Sequence, residues 1–233
     1  MDLFVFLKNQ GKIIVADIIK HLKKLGKSSD AEDNTNEFIA NVAVNSYVSD
    51  TWAIGLSAVL TMSLSNIYSQ SIDEALDGLT ESVSGQIVAS FGTDEVLHGL
   101  SENYSKDRTA ALVTQLDDST RDMLRSDLVD YMNSGLTIDE ISLQLQESYA
   151  FSEKRARVIG RTETGFAWNH GAISMYSQVE GATGVLVFDG DHDTNCQDAD
   201  GQTWSFEYAL EHLLQHPNCV RSFGISYGEP DIE

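Results

Sequence analysis

The residues best suited to chemistry in this 233-residue chain lie close together near its C-terminus. Cys196 and Cys219, its two cysteines, bracket His216, and His216-Pro217-Asn218-Cys219 reads as a tight turn. Two thiolates and an imidazole are the donor set that a borderline-soft divalent cation such as zinc takes. The stretch from Cys196 to His216 has room for a short strand and a helix that fold its ends together. Asp193 or His192 is available as a fourth ligand. The same residues also read without a metal, with His216 capping a turn through its ring nitrogens and both cysteines packed as thiols.

Asp189-x-Asp191-x-Asp193-x-Asn195 matches the first half of a calcium loop, in which alternate oxygens converge on a hard cation. The second half departs from that pattern. Thr194 stands at the loop-glycine position, Asp200 replaces the terminal glutamate, and a strand rather than a helix precedes the loop. Calcium is thus the secondary expectation, and an acidic turn leading into Cys196 the main one.

A second candidate is Glu163, which shares a helical stripe with Ile159, Phe166 and His170. A carboxylate on an apolar stripe is costly unless paired or hydrogen-bonded. Arg157 or Arg161 can pair with it locally, and Thr162 and Asn169 can anchor a neighbouring loop. A general acid/base role for Glu163 would need a second carboxylate or a nucleophile at a diagnostic spacing. None is present, so Arg161, Glu163 and Asn169 are expected to be structural anchors rather than catalytic groups. The rival reading is a metal-dependent hydrolase or toxin-like enzyme using Glu163, His216 and the acidic turn.

The elements that must position these residues follow from periodicity. Ile14, Ile18, Leu22 and Leu25 form one stripe of a helix over 13–25, with Gly26 as its stop. Residues 28–36 read as a polar linker. A helical region then runs from 37 to 132, with Trp52, Leu56, Val59, Ser63 and Ile67 at helical spacing. Thr137-Ile-Asp-Glu140 is a capping box that starts a helix burying Ile141 and Leu145. Ser152 caps a long helix to about Gln178, stopped by Gly181. Strands are expected at Val185–Phe188, Thr203–Phe206 and Val220–Tyr227, with a helix from Tyr208 to Leu214. The fold class is therefore α+β: a largely α-helical N-terminal part followed by a small α+β C-terminal domain over 133–227, with an acidic tail at 228–233.

Composition narrows the function. Hydrophobic residues make up 42% and charged ones 22%, which suits a folded protein. The net charge of -21 argues against a general DNA-coating role, because such binding needs lysines and arginines that displace counterions. A helix-turn-helix over 136–147 is excluded on the same ground, since its second helix carries Asp139, Glu140 and Glu147 and no base. The charge is unevenly placed. Residues 1–27 carry six lysines against Asp2 and Asp17, whereas 28–105 carry twelve acids and no Lys or Arg. Lys20, Lys23 and Lys24 are accordingly candidate partner-binding residues on a basic amphipathic helix that orders on contact with a partner. No secretory signal is expected at the start of the chain, and the apolar run from Ala53 to Leu64 is too short and interrupted for a membrane span. Two cysteines without such a signal suggest thiols or ligands in the cytoplasm rather than a disulfide.

Three blocks in order carry a resemblance. Gly135-Leu-Thr-Ile-Asp-Glu-Ile141 leads into Arg155-Ala-Arg-Val-Ile-Gly-Arg161-Thr-Glu163, with Asn169 and Gly171 beyond. Asp193 to Asp200-Gly201-Gln202 follows, and then His216-Pro-Asn-Cys219. From about Asn133 to Ser226 the chain resembles the phage minor head (head morphogenesis) proteins of the Mu F type. It departs from them twice: Asp193 stands at the first cysteine of the family's CxxC, and Arg221 at the last cysteine of its His-Pro-Asn-Cys-x-Cys. The resemblance implies a minor structural protein of a tailed-phage head, not an enzyme. Such a protein sits inside the virion head near the portal and acts in head morphogenesis, genome packaging or ejection. Its implied partner is the portal protein, with capsid or scaffold protein and indirect contact with packaged DNA as further possibilities, and no membrane.

Overall fold

The structure, a computed structural model, describes residues 3–25, 36–45, 49–79, 94–190 and 193–232. The fold is α+β and mostly helical, with a small antiparallel sheet near the C-terminus. Two compact units divide the chain: residues 1–60 with 108–157, and residues 61–107 with 158–233.

The first unit is helical among its described residues. It holds α1 (Leu3–Leu25), α2 (Asn36–Asn45), the start of α3 (Ser49–Asp77), the end of α4 (Asp94–Asn133), α5 (Ile138–Gln146), a 3-10 turn (Tyr149–Phe151) and the start of α6 (Glu153–Tyr176). Helix α1 begins ten residues earlier than its lysine-rich half suggests, because Phe6 and Leu7 extend the apolar stripe toward the N-terminus. That stripe is covered within the unit. Phe6, Leu7, Ile14, Val15, Ile18, Ile19 and Leu22 are buried as α1 packs on α2, α5 and the 3-10 turn. The apolar face of α1 thus has neighbours within its own unit, α2 of the acidic 28–105 segment among them, while its lysines are exposed. Gly11 lets the helix approach Phe151, whose ring a Cβ at that position would meet at 2.6 Å. The polar linker expected at 28–36 lies outside the described residues except for Asn36, which opens α2. The helical region expected over 37–132 contains α2, α3 and α4 among its described residues.

Helix α5 starts where the capping box places it. Thr137 Oγ1 accepts from the Glu140 N–H, and the Glu140 carboxylate accepts from the Thr137 N–H at 2.8 Å. Arg155 is the polar anchor of this unit. Only 4% exposed, it donates to Thr120 Oγ1, Ser119 Oγ and the carbonyls of Ala150 and Leu116.

The second unit contains the remainder of α3, α4 and α6, then β1 (Gly184–Phe188), α7 (Thr194–Ala199), β2 (Thr203–Trp204), α8 (Phe206–Glu211) and β3 (Ser222–Ser226). The sheet order is β2-β1-β3, antiparallel throughout, with Val185 opposite both Trp204 and Ile225. Val185, Val187, Trp204 and Phe223 form a core with Ile173 of α6 and with Ala209 and Leu213. A second core joins Tyr68, Ile72 and Ala75 of α3 to Ala172, Met175 and Val179. Gly184 has no room for a side chain, since a Cβ there would lie 2.2 Å from the Trp204 carbonyl oxygen. The final residues extend this unit. Ile232 bridges Trp204 in parallel, its carbonyl accepts from Ser205, and the Asp231 carboxylate accepts from the Thr203 N–H at 2.8 Å.

Candidate metal centre

Three segments of the second unit deliver the donor atoms. Helix α7 supplies Cys196 from its first turn, where an acidic turn was expected. Asp193 makes that helix possible: its carboxylate caps the N-terminus, accepting from the Cys196 N–H at 2.9 Å. The His216-Pro-Asn-Cys turn supplies the other two donors. It closes through the Cys219 N–H to the His216 carbonyl at 3.1 Å, with Asn218 at φ 64, a left-handed conformation that asparagine tolerates better than most residues.

Helix α6 holds that turn in place. Thr162 Oγ1 accepts from the Asn218 N–H at 3.0 Å. Asn169, 1% exposed, donates through Nδ2 to the carbonyls of Leu213 and Arg221, which lie before and after the turn. Glu163 on the same helix is buried. Arg161 is exposed, and Arg157 pairs with Glu153 one turn earlier rather than with Glu163.

These supports place Cys196 Sγ 3.5 Å from His216 Nε2 and 3.9 Å from Cys219 Sγ. All three donor atoms fall within 4.8 Å of one another. A tetrahedral zinc with Zn–S near 2.3 Å and Zn–N near 2.05 Å requires donor separations of about 3.8 Å for S···S and about 3.6 Å for S···N. Cys196 already stands at those spacings from both partners, and the third separation is no more than 4.8 Å, so the Cys196–His216–Cys219 group can hold a metal ion. His216 Nδ1 lies 2.9 Å from the Pro217 carbonyl, which can only accept a hydrogen bond. That contact favours a proton on Nδ1, and Nε2, which faces both the Cys196 sulfur and the Asp193 carboxylate, gives up any proton it carries when a metal binds.

Asp193 Oδ2 lies 2.7 Å from His216 Nε2, beside the donor set, while Oδ1 of the same carboxylate serves the helix cap. The Cys196 N–H, and then His216, hold the Asp193 carboxyl below its ordinary range. Cys196 behaves oppositely. Burial first, then the nearby carboxylates of Asp189 and Asp193 and the Cys219 sulfur, push its thiol well above the usual cysteine range. A cation that binds there displaces the Cys196 proton. His192 and Asp191 lie outside the described residues, and with Asp191 one of the four oxygen positions of the expected calcium loop.

Sequence reasoning missed the pair behind the site. Asp189 and Arg221 have side chains 0% and 1% exposed, and Arg221 Nε donates to Asp189 Oδ2 at 2.8 Å. Arg221 also donates to the His212 carbonyl and lies over the Trp204 ring, 4.9 Å from its centroid. Asp189 Oδ2 is 3.8 Å from Cys219 Sγ. No local pattern links two residues so far apart in sequence. The one available signal was that Arg221 is the sole base after Arg161.

Lys20, Lys23 and Lys24 are exposed on α1, in the other unit, and Lys23 pairs with Asp139 of α5 at 3.6 Å. They are not part of the metal group. Among the described residues, no helix is long and apolar enough to cross a membrane. The chain matches no family model, no curated protein and no solved structure.

Proposed function

We propose that this chain is a minor structural protein of a tailed-phage head that associates with the portal and acts in head morphogenesis, genome packaging or ejection. The observation that supports this reading is the convergence of the three resembling blocks. The Arg161-Thr162-Glu163 block with Asn169, the Asp193–Cys196 block and the His216–Cys219 turn are far apart in sequence. They are nevertheless joined by the Thr162–Asn218 and Asn169–Arg221 hydrogen bonds and by the Cys196–His216–Cys219 contacts. Interlocked in this way, they serve a structural knuckle rather than a catalytic cleft.

In this reading the knuckle holds one zinc ion through Cys196, His216 and Cys219, with the Asp193 carboxylate as fourth ligand. Asp193 takes the place of a cysteine in the resembled motif, and its Oδ2, in contact with His216 Nε2, lies beside the donor set. A carboxylate in place of a thiolate makes the site weaker for zinc than a four-thiolate knuckle. Zinc adds binding free energy that is also folding free energy, because the unfolded chain has no preformed site.

Co-expression of the chain with its portal protein, followed by size-exclusion chromatography, should give one joint peak, and the chain should be found in purified virions. Separate elution at low and moderate salt, together with absence from virions, would sink the reading. Elemental analysis should give at most one zinc per chain, lost in Cys196→Ser and Cys219→Ser. Calcium in its place would revive the aspartate-loop alternative. Turnover of a hydrolase substrate only in the zinc-loaded protein would favour the enzyme reading instead.

A further inference from the structure

The two sulfurs have a chemistry of their own that needs no metal. Cys196 and Cys219 are both free thiols, in contact at 3.9 Å. A disulfide bond is about 2.05 Å long, so closing the gap requires an approach of roughly 1.9 Å. The two residues differ in freedom and access. Cys196 is fully buried and fixed in α7, whose cap and hydrogen bonds hold its backbone. Cys219 is 7% exposed and sits at the end of a turn between exposed Pro217 and Val220.

We propose that Cys196 and Cys219 form a thiol-oxidation site, which in the metal-free protein closes to an intramolecular disulfide by exchange with a small disulfide such as oxidised glutathione. Cys219, nearer the surface, loses its proton and attacks one sulfur of the reagent, expelling one glutathione thiolate. Cys196, too buried for the reagent to reach but already touching Cys219, then loses its proton. Its sulfur attacks the Cys219 sulfur of the mixed disulfide and expels the second glutathione thiolate. Two protein thiols are oxidised and one glutathione disulfide is reduced to two thiolates, which take up the two protons released by the cysteines.

The same sulfurs are the zinc ligands of the proposed function, so a bound cation blocks closure. That coupling rests on the zinc reading, whereas closure itself does not. The pair would thus hold metal where glutathione keeps thiols reduced, and cross-link where it does not.

The test uses the full chain, stripped of metal under native conditions and incubated with oxidised glutathione. Intact mass should fall by two hydrogens with no glutathione adduct retained, and peptide mapping should recover a Cys196–Cys219 linked fragment. Cys196→Ser should trap glutathione on Cys219, while Cys219→Ser should leave Cys196 unmodified. A wild-type adduct that persists without closure, or equal modification of both variants, would overturn the proposal. So would a native chain that stays inert when the denatured chain reacts. Preloading with zinc should slow closure by about tenfold or more. Equal rates with and without zinc would refute the zinc reading and leave the oxidation site standing.

Discussion

Each unit of the chain buries an arginine in or just beyond a resembling block, and the two are satisfied in different ways. Arg155 of the first unit donates to hydroxyls and carbonyls contributed by α4 and the 3-10 turn. Arg221 of the second is paired with a fully buried carboxylate and stacked over an indole. The first arrangement is a polar clasp among helices that are otherwise held by apolar interlocking. The second puts opposite charges out of water directly behind two cysteines, and so sets the electrostatics of the site as well as its shape. Losing a partner should therefore cost more in the second unit than in the first.

The largest effect is expected from Arg221→Met. It leaves the Asp189 carboxylate buried without its guanidinium, which costs about 3–5 kcal/mol when one half of such a pair is removed. Urea unfolding of metal-free protein should show that loss, and the double variant Asp189→Asn/Arg221→Met should recover much of it. A double variant no better than the single one would mean that Arg221 acts through packing on Trp204 rather than through charge. Arg155→Met should cost less, about 2 kcal/mol, because the acceptors of its four hydrogen bonds to α4 and the 3-10 turn are neutral. Arg155→Met proving the more damaging of the two would reverse the comparison.

The same contrast explains what the sequence could and could not reveal. Helices α5 and α6 were legible because the capping box and Ser152 are local signals. The three strands were legible from β-branched and aromatic runs, to within two residues at each end. Helix α7 was not. Its six residues are mostly polar and too few to show a period, and the aspartates that suggested a cation loop include the N-cap, so one residue served two readings. The metal group was legible from residue type and turn chemistry alone. Its supports were legible only in part: Thr162 and Asn169 lie on a periodic helix, whereas Asp189 and Arg221 meet through the β1–β3 pairing, which no local spacing encodes. Helix α1 misled for a different reason. Its lysines occupy the exposed face and dominate the composition, while the residues that decide its place, from Phe6 to Leu22, are on the other side.

A smaller effect, dependent on pH, belongs to His170 in the second unit. Its ring lies against Tyr68 and Tyr104, with centroids 5.6 and 4.6 Å away, and Ser174 Oγ is 3.3 Å from Nδ1. Burial lowers its pKa, against a weaker raising contribution from its own backbone hydrogen bond. The folded state thus prefers the neutral ring. The resulting stability is present above the ordinary histidine pKa of about 6.5 and is lost as pH falls from there toward the folded value. His170→Gln should flatten the pH dependence of the urea midpoint in that window. An unchanged slope would show that the ring is wet enough to charge freely.

The smallest effects come from the two helix caps, which mirror the arginines on a lesser scale. Thr137 caps α5 and has only that task, so Thr137→Ala should cost about 1 kcal/mol and leave metal content unchanged. Asp193 caps α7 with one oxygen and faces His216 with the other. Serine is also a good N-cap, so Asp193→Ser keeps the helix start and deletes the second oxygen. Metal-free stability should then move by no more than about 0.5 kcal/mol, while zinc affinity falls by about tenfold or more. Unchanged affinity would remove Asp193 from the ligand set and leave the Cys196–His216–Cys219 group to bind alone. A large loss of metal-free stability would show instead that the Asp193–His216 contact, rather than the cap, holds the turn in place.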